Sequence, residues 1–167
     1  GQIGSIYGSL SIEAGQAQVD NQQGRLQAGQ QLNLSAAGIN NSQGQIIATD
    51  LLTLNSHEQT LNNLQGILSG KQLLLDTGEL NNDQGLMQAQ DGIQLNTHQQ
   101  NLINSNSGLQ GGILSQGTIQ LQNIATLNNQ DGYIASGQQL LLDVNQLLNN
   151  RGTLLGTDQL QITGTGL

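Results

Sequence analysis

Apolar side chains stand two residues apart in short bursts along this chain, as in Leu32-Asn33-Leu34, Leu73-Leu74-Leu75, Ile93-Gln94-Leu95 and Ile119-Gln120-Leu121. Period-2 alternation of this kind predicts short strands with one face buried. Nothing between the bursts carries the roughly 10–12 residues of 3.6-period pattern that a helix needs. The bursts also recur in a fixed phrase: Leu-Asn-Asn, two residues, Gly, then alternation, beginning at Leu61 and again at Leu80.

With the glycine of each phrase as marker, the copies fall at Gly4, Gly24, Gly44, Gly66, Gly85, Gly112, Gly132 and Gly152, in steps of 20, 20, 22, 19, 27, 20 and 20 residues. Two positions on lies an apolar column: Ile6, Leu26, Ile46, Leu68, Met87, Leu114, Ile134 and Leu154. Four positions on, the residues are mostly small: Gly8, Ala28, Ala48, Gly70, Ala89, Gln116, Ser136 and Gly156. Two further apolar columns run from Leu10 through Leu32, Leu52, Leu73, Ile93, Ile119 and Leu140 to Leu160, and from Ile12 through Leu34, Leu54, Leu75, Leu95, Leu121 and Leu142 to Ile162. The last column, Val19, Ile39, Leu61, Leu80, Leu127 and Leu148, directly precedes an Asn pair or Asp-Asn.

Self-similarity at a step near 20 predicts a solenoid over residues 1–167. A leucine-rich repeat would share the length and the Leu-x-Leu element, but its return segment is helical or 3₁₀. The returns here are Gln, Asn, Gly and Ser, which suit the strands and tight turns of a parallel β-helix. In such a stack Asn21, Asn41, Asn63, Asn82 and Asn129 lie above one another, and an amide ladder among them would stabilise the coils. Glycine and asparagine are also the residues expected at left-handed turns.

The run LNNQDGYIASGQQLLLDVNQLLNN, Leu127 to Asn150, resembles the filamentous haemagglutinin repeat, and the resemblance extends over essentially the whole chain. It implies a right-handed parallel β-helix of about eight coils. It also implies a shaft segment of a two-partner-secreted bacterial exoprotein, either a haemagglutinin adhesin or a contact-dependent growth-inhibition toxin. Location at the bacterial cell surface follows from the same resemblance. So do the implied partners: neighbouring β-helix segments of the same polypeptide, an outer-membrane secretion protein, and a host or target bacterial surface. Because the repeat is already running at the first residues, the chain reads as a piece of something longer.

Composition narrows this further. There are 29 Gln, 19 Asn and 23 Gly, no Pro, Cys, Trp or Phe, and two Tyr, so the core must be built from Leu, Ile, Val and Ala. Three cations, Arg25, Lys71 and Arg151, stand against 11 acids for a net charge of −8, which argues against nucleic acid as a partner. No apolar run approaches the roughly 20 residues of a membrane span, and the start lacks a signal-peptide pattern.

Candidate chemistry is sparse. Asp50, Asp91 and Asp158 share one turn column but stand two or more coils apart, further than the roughly 5–9.5 Å that separates glycosidase carboxylates. Asp76, Glu79 and Asp83 form the densest acidic stretch, which reads as a solvated turn more readily than as a calcium site. His57 and His98 fall in variable arms without an argued acid partner, and no serine has an argued histidine. Tyr7 and Tyr133 read as covers over neighbouring core positions. The 27-residue step places an insertion near 106–111, with Asn106, Ser107, Leu109 and Gln110 as a candidate interaction loop outside the stack. The reading is a non-catalytic shaft with no cofactor or metal; the alternative is a carbohydrate-binding or carbohydrate-processing β-helix.

Overall fold

The computed structural model describes residues 1–165. Among them are 18 strands and no helix, joined by parallel pairing into one continuous sheet that coils on itself. The fold is a parallel β-helix, as the period-2 bursts and non-helical returns require. In successive coils the first strand runs Gln2–Ser5, Arg25–Ala28 and Gln45–Ala48, and the second Leu10–Glu13, Leu32–Ser35 and Leu51–Asn55. The third is only Val19–Asp20, Ile39–Asn40 and Leu61–Asn62. Further along, the first two strands join in Ile67–Asp76, while Leu86–Ile103 passes through all three. Eight coils at strand spacing give a rod roughly 40 Å long.

The two columns from Leu10 and Ile12 are direct partners from coil to coil, up to Leu160 and Ile162. From Leu32 to Leu142 their side chains are buried, within a single apolar cluster that also holds Leu26, Ile46, Leu68, Met87 and Ile134. Each such leucine contributes about 1.5–3 kcal/mol by leaving water.

The register corrects the sequence columns at three places. In the first coil Ile3, not Ile6, pairs with Leu26, so Gly1 rather than Gly4 stands at the marker position and Ser5 rather than Gly8 at the small one. Ile6 is 77% exposed. In the sixth coil Ile113, not Leu114, pairs with Met87 and Ile134, which moves the marker from Gly112 to Gly111 and the small position from Gln116 to Ser115. With Gly111-Gly112 followed by two apolar residues, the sequence permits either frame. A slip of one residue exchanges the buried and exposed faces, and it is Ile113 that is buried. In the seventh, Leu147 rather than Leu148 faces Leu127, and Leu102, absent from the sequence column, fills the gap between Leu80 and Leu127.

The marker glycine is required by space, not by its backbone angles. A Cβ on Gly66 would lie 2.3 Å from the Asn41 carbonyl oxygen and 2.5 Å from Asn63 Oδ1. The left-handed residue is instead the one before it, with φ of 54° at Gln23, 55° at Gln43 and 54° at both Gln65 and Gln84. Gly or Asn is the expectation at this turn; four coils use glutamine instead, and Asn106, Asp131 and Arg151 continue the column.

Candidate functional site

The Leu-Asn-Asn phrase builds one corner of the rod, and its three residues divide the labour. The leucine enters the core. The first asparagine caps the turn: Asn40 Oδ1 accepts the Ser42 N–H at 3.2 Å, Asn62 Oδ1 that of Leu64 at 3.2 Å, and Asn81 Oδ1 that of Asp83 at 3.0 Å. The second points inward and donates from Nδ2 to Oδ1 of its counterpart in the next coil. These bonds run Asn21 to Asn41, Asn41 to Asn63 and Asn63 to Asn82 at 2.7 Å each, then Asn82 to Asn104 and Asn104 to Asn129 at 2.8 Å, and Asn129 to Asn149 at 2.7 Å. Asn104 and Asn149 extend the five residues of the sequence column, and the ladder crosses the irregular coil without a break. Asn104 follows Ile103 rather than another Asn, which hid it from the pair pattern. Outside this buried ladder runs a second, exposed one, from Gln23 to Gln43 and Gln43 to Gln65 at 2.9 Å and Gln65 to Gln84 at 3.0 Å.

The insertion is narrower than the sequence suggests. Asn106 has φ 53°, between the 54° of Gln84 below it and the 52° of Asp131 above, so it belongs to the stack. Its Nδ2 and the Ser105 hydroxyl donate to Asp83 Oδ1 at 2.8 and 2.7 Å. Partial burial pushes Asp83 up, but hydrogen bonds from Ser105, Asn106 and Gln84 outweigh it and hold the carboxyl below its usual range. Ser107 is buried, and its Oγ accepts the Tyr133 N–H at 3.1 Å while donating to the Asn104 carbonyl at 3.4 Å. One coil further on, the equivalent donor, Thr153 N–H, goes to the carbonyl of Gly132. The Ser107 hydroxyl thus replaces a backbone acceptor where the ladder would otherwise be interrupted. Leu109 is the residue that leaves the stack, with 104% exposure.

In the first five coils the arms between the second and third strands alternate in length, before steps of 5 from Gln122 to Leu127 and 4 from Asp143 to Leu147. From Glu13 to Val19 the chain takes 6 steps, from Ser35 to Ile39 4, from Asn55 to Leu61 6, from Asp76 to Leu80 4, and from Asn96 to Leu102 6. The arms after Asn55 and Asn96 are copies of one turn. In each, the Asn Oδ1 accepts the His57 or His98 N–H, at 2.8 and 2.9 Å. In each, a buried Ser56 or Thr97 hydroxyl donates to the carbonyl of Gln59 or Gln100, at 2.6 and 2.8 Å.

Both imidazoles reach down one coil, which gives them partners that sequence spacing did not show. His57 Nε2 lies 2.8 Å from Ser35 Oγ. His98 Nε2 bonds Asp76, and its Nδ1 lies 3.8 Å from Glu58 Oε1. Gln100 Nε2 donates to the Glu58 carbonyl at 3.1 Å, and its Oε1 accepts the Glu79 N–H at 3.3 Å, so the long arm straps over the short coil between. Among the described residues no three His, Asp or Glu side chains are grouped to hold a metal ion. In the aspartate column Lys71 separates Asp50 from Asp91, donating its N–H to the Asp50 carbonyl at 2.7 Å and placing Nζ 3.8 Å from the Asp91 carboxylate. At the asparagine corner Arg151 holds Asp131 through two bonds of 2.7 Å, and that pairing lowers the Asp131 carboxyl below its usual range.

Tyr7 is 87% exposed and covers no core residue, contrary to the sequence reading; Tyr133 faces outward. Tyr133 lines an open groove of about 510 Å³ along the outer side of the first strands, together with Gln88, Leu114, Ala135 and Leu155.

Three overlapping stretches of the chain, residues 5–64, 47–125 and 104–167, match the haemagglutinin repeat. Comparison with curated proteins and with solved structures found no match.

Proposed function

We propose a mechanical role for this chain, which belongs to the haemagglutinin repeat family: it is a non-catalytic shaft segment of a secreted bacterial surface exoprotein, an adhesin or the stalk of a contact-dependent growth-inhibition toxin. The observation that carries this reading is the unbroken internal stack. Apolar columns, the buried asparagine ladder and parallel backbone pairing all run from coil to coil without a separate domain between them. Nearest-neighbour contacts of this kind propagate along one axis, which is what a spacer needs.

In this role residues 1–165 form a single rod, and its partners are the neighbouring β-helix segments of the same polypeptide. An outer-membrane protein exports it in an extended state, and the coils form at the cell exterior. No cation-rich face accompanies the net charge of −8, so a nucleic-acid role has no support. No helix among the described residues is long and apolar enough to cross a membrane.

The test is a replacement. Exchanging the segment, within the exoprotein that carries it, for an unrelated β-helix of equal coil number should preserve surface display and target-cell attachment. Deleting it should shorten the filament by roughly 40 Å in electron micrographs. Loss of attachment on exchange, with display intact, would assign recognition rather than reach to this segment.

A further inference from the structure

The face formed by the first strands differs from the rest of the rod in its charge. Across its eight strands, from Gln2–Ser5 to Thr153–Gly156, Arg25 is the only charged residue. Every one of the chain's 11 acids lies elsewhere, in the second strands, the corners or the arms. In the upper half of this face the outward side chains are Leu86, Gln88, Leu114, Tyr133, Ala135, Thr153 and Leu155, uncharged throughout and mostly apolar, and Leu155 is 50% exposed. Gly112 brings no side chain to the row below Tyr133, whose carbonyl oxygen would lie 2.1 Å from a Cβ there. Leu109 projects at the edge of the same face, on the short excursion between Ser107 and Gly111, where Gly108 turns at φ 66°. The fold gains nothing from exposing it, since Ser107 alone repairs the ladder.

We propose that this face pairs with a second copy of the same chain, with Leu109 of each copy seated in the groove of the other between Leu114, Tyr133 and Leu155. Two rods of charge −8 repel one another in most approaches. This face is the one that brings no carboxylate of its strands against its counterpart. The projection and the groove lie on one face and in adjacent coils, so a twofold axis across the rod can satisfy both contacts at once. That is the isologous arrangement a closed dimer requires. The rods then run antiparallel, and the axis passes near the sixth and seventh coils. On the rim the Lys71–Asp91 and Asp131–Arg151 pairs are already neutralised, while Asp83 and Asp158 must remain in solvent. An apolar anchor entering a groove with an aromatic wall is the kind of contact that dominates interface energetics.

The inference goes beyond the shaft reading, and its failure would leave that reading intact. Sedimentation velocity over a concentration series should show a dimer of the chain, and Leu109→Asp should weaken it at least tenfold. Leu74→Asp, on the second strands, should not weaken it. Leu109 makes no contact that the change could remove, so circular dichroism should match the unmodified chain. Because the chain has no cysteine, Leu109→Cys combined with Leu155→Cys should form interchain disulfides under oxidation, in dimers that do not grow further. A monomer at every concentration overturns the proposal. So does association that ignores Leu109→Asp and yields open-ended polymers, which would mean end-on stacking. Binding of a neutral glycan by a monomeric chain, lost in Leu109→Asp, would make the groove a sugar site and overturn it equally.

Discussion

At the asparagine corner successive coils are near copies of one another, whereas the arms joining the second and third strands vary between 4 and 6 steps. The difference follows from where the polar groups point. Asn63 is fully buried, so its amide must meet another amide at the same height in the coils above and below. Only the same residue in the same place does this without leaving a buried donor or acceptor unpaired. The arm after Asn55 closes on itself through Asn55, Ser56 and Gln59, and so does the arm after Asn96. An arm that satisfies its own backbone can lengthen or shorten without moving the strands, and its outward side chains are free to differ.

The largest test of this contrast is Asn63→Ala. It removes the acceptor for Asn41 Nδ2 and the donor for Asn82 Oδ1, both in the interior. At about 1–3 kcal/mol for each buried group left unpaired, the cost is about 2–6 kcal/mol. Asn62→Ala, which loses a turn cap and the bonds from its Nδ2 to Ser42 Oγ and Asn40 Oδ1, all near the surface, should cost about 1 kcal/mol. Denaturant titration measures both. Equal losses would mean that the ladder is incidental to the stack.

Leu75→Ala comes next. Its side chain is buried between those of Leu54 and Leu95, and the cavity should cost about 2–5 kcal/mol. Its neighbour Leu74 points outward and is 41% exposed, so Leu74→Ala should change stability by no more than about 0.5 kcal/mol. Hydrogen exchange in the adjacent coils should rise for the first variant and not for the second, because solenoid coils are coupled to their nearest neighbours.

The parts of the fold legible in the sequence are those governed by inward-pointing side chains. The two leucine columns of the second strand could be aligned directly, since the position between them is polar in six of the eight coils and fixes the phase for the other two, at Leu74 and Leu141. The phase was ambiguous where apolar residues stand side by side, as at Ile113-Leu114 and Leu147-Leu148, or where Gly and Ile repeat nearby, as in Gly1 to Ile6. Of the candidate site, the polar geometry was mostly hidden. Ser35 with His57 and Asp76 with His98 are 22 residues apart in sequence and meet only through the register of neighbouring coils. The role of Ser107 was hidden too, because a hydroxyl standing in for a carbonyl leaves no periodic trace.

That role sharpens the view of the irregular coil as a variation on the corner. Removing Asn106 to Gln110 would take out a stacked turn residue and the acceptor of the Tyr133 N–H, so it should destabilise the rod rather than trim a free loop. The cleaner change is Ser107→Ala, which leaves that N–H without its acceptor. The expected loss is about 1–3 kcal/mol, with Tyr133 and its neighbours exchanging their amides faster. An unchanged exchange rate at Tyr133 would show that water replaces the hydroxyl there.

The smallest effect concerns Asp83, where the corner and the irregular coil meet. Its carboxylate accepts from Ser105 and Asn106 of the next coil, and these bonds hold it below the ordinary carboxylate range despite partial burial. A depressed carboxyl contributes stability that is fully present above its unfolded value and is lost as pH falls through the folded one. The contribution of Asp83 should therefore be constant at neutral pH and disappear on acidification below about 4. The effect is small because the group is largely open to solvent, where screening weakens such bonds. Asp83→Asn retains an acceptor but not the charge, so its melting temperature should lie slightly below that of the unmodified chain at pH 7 and converge with it near pH 2. Parallel curves, with the same gap at both pH values, would mean that the two donors from the sixth coil recognise an oxygen and not a charge.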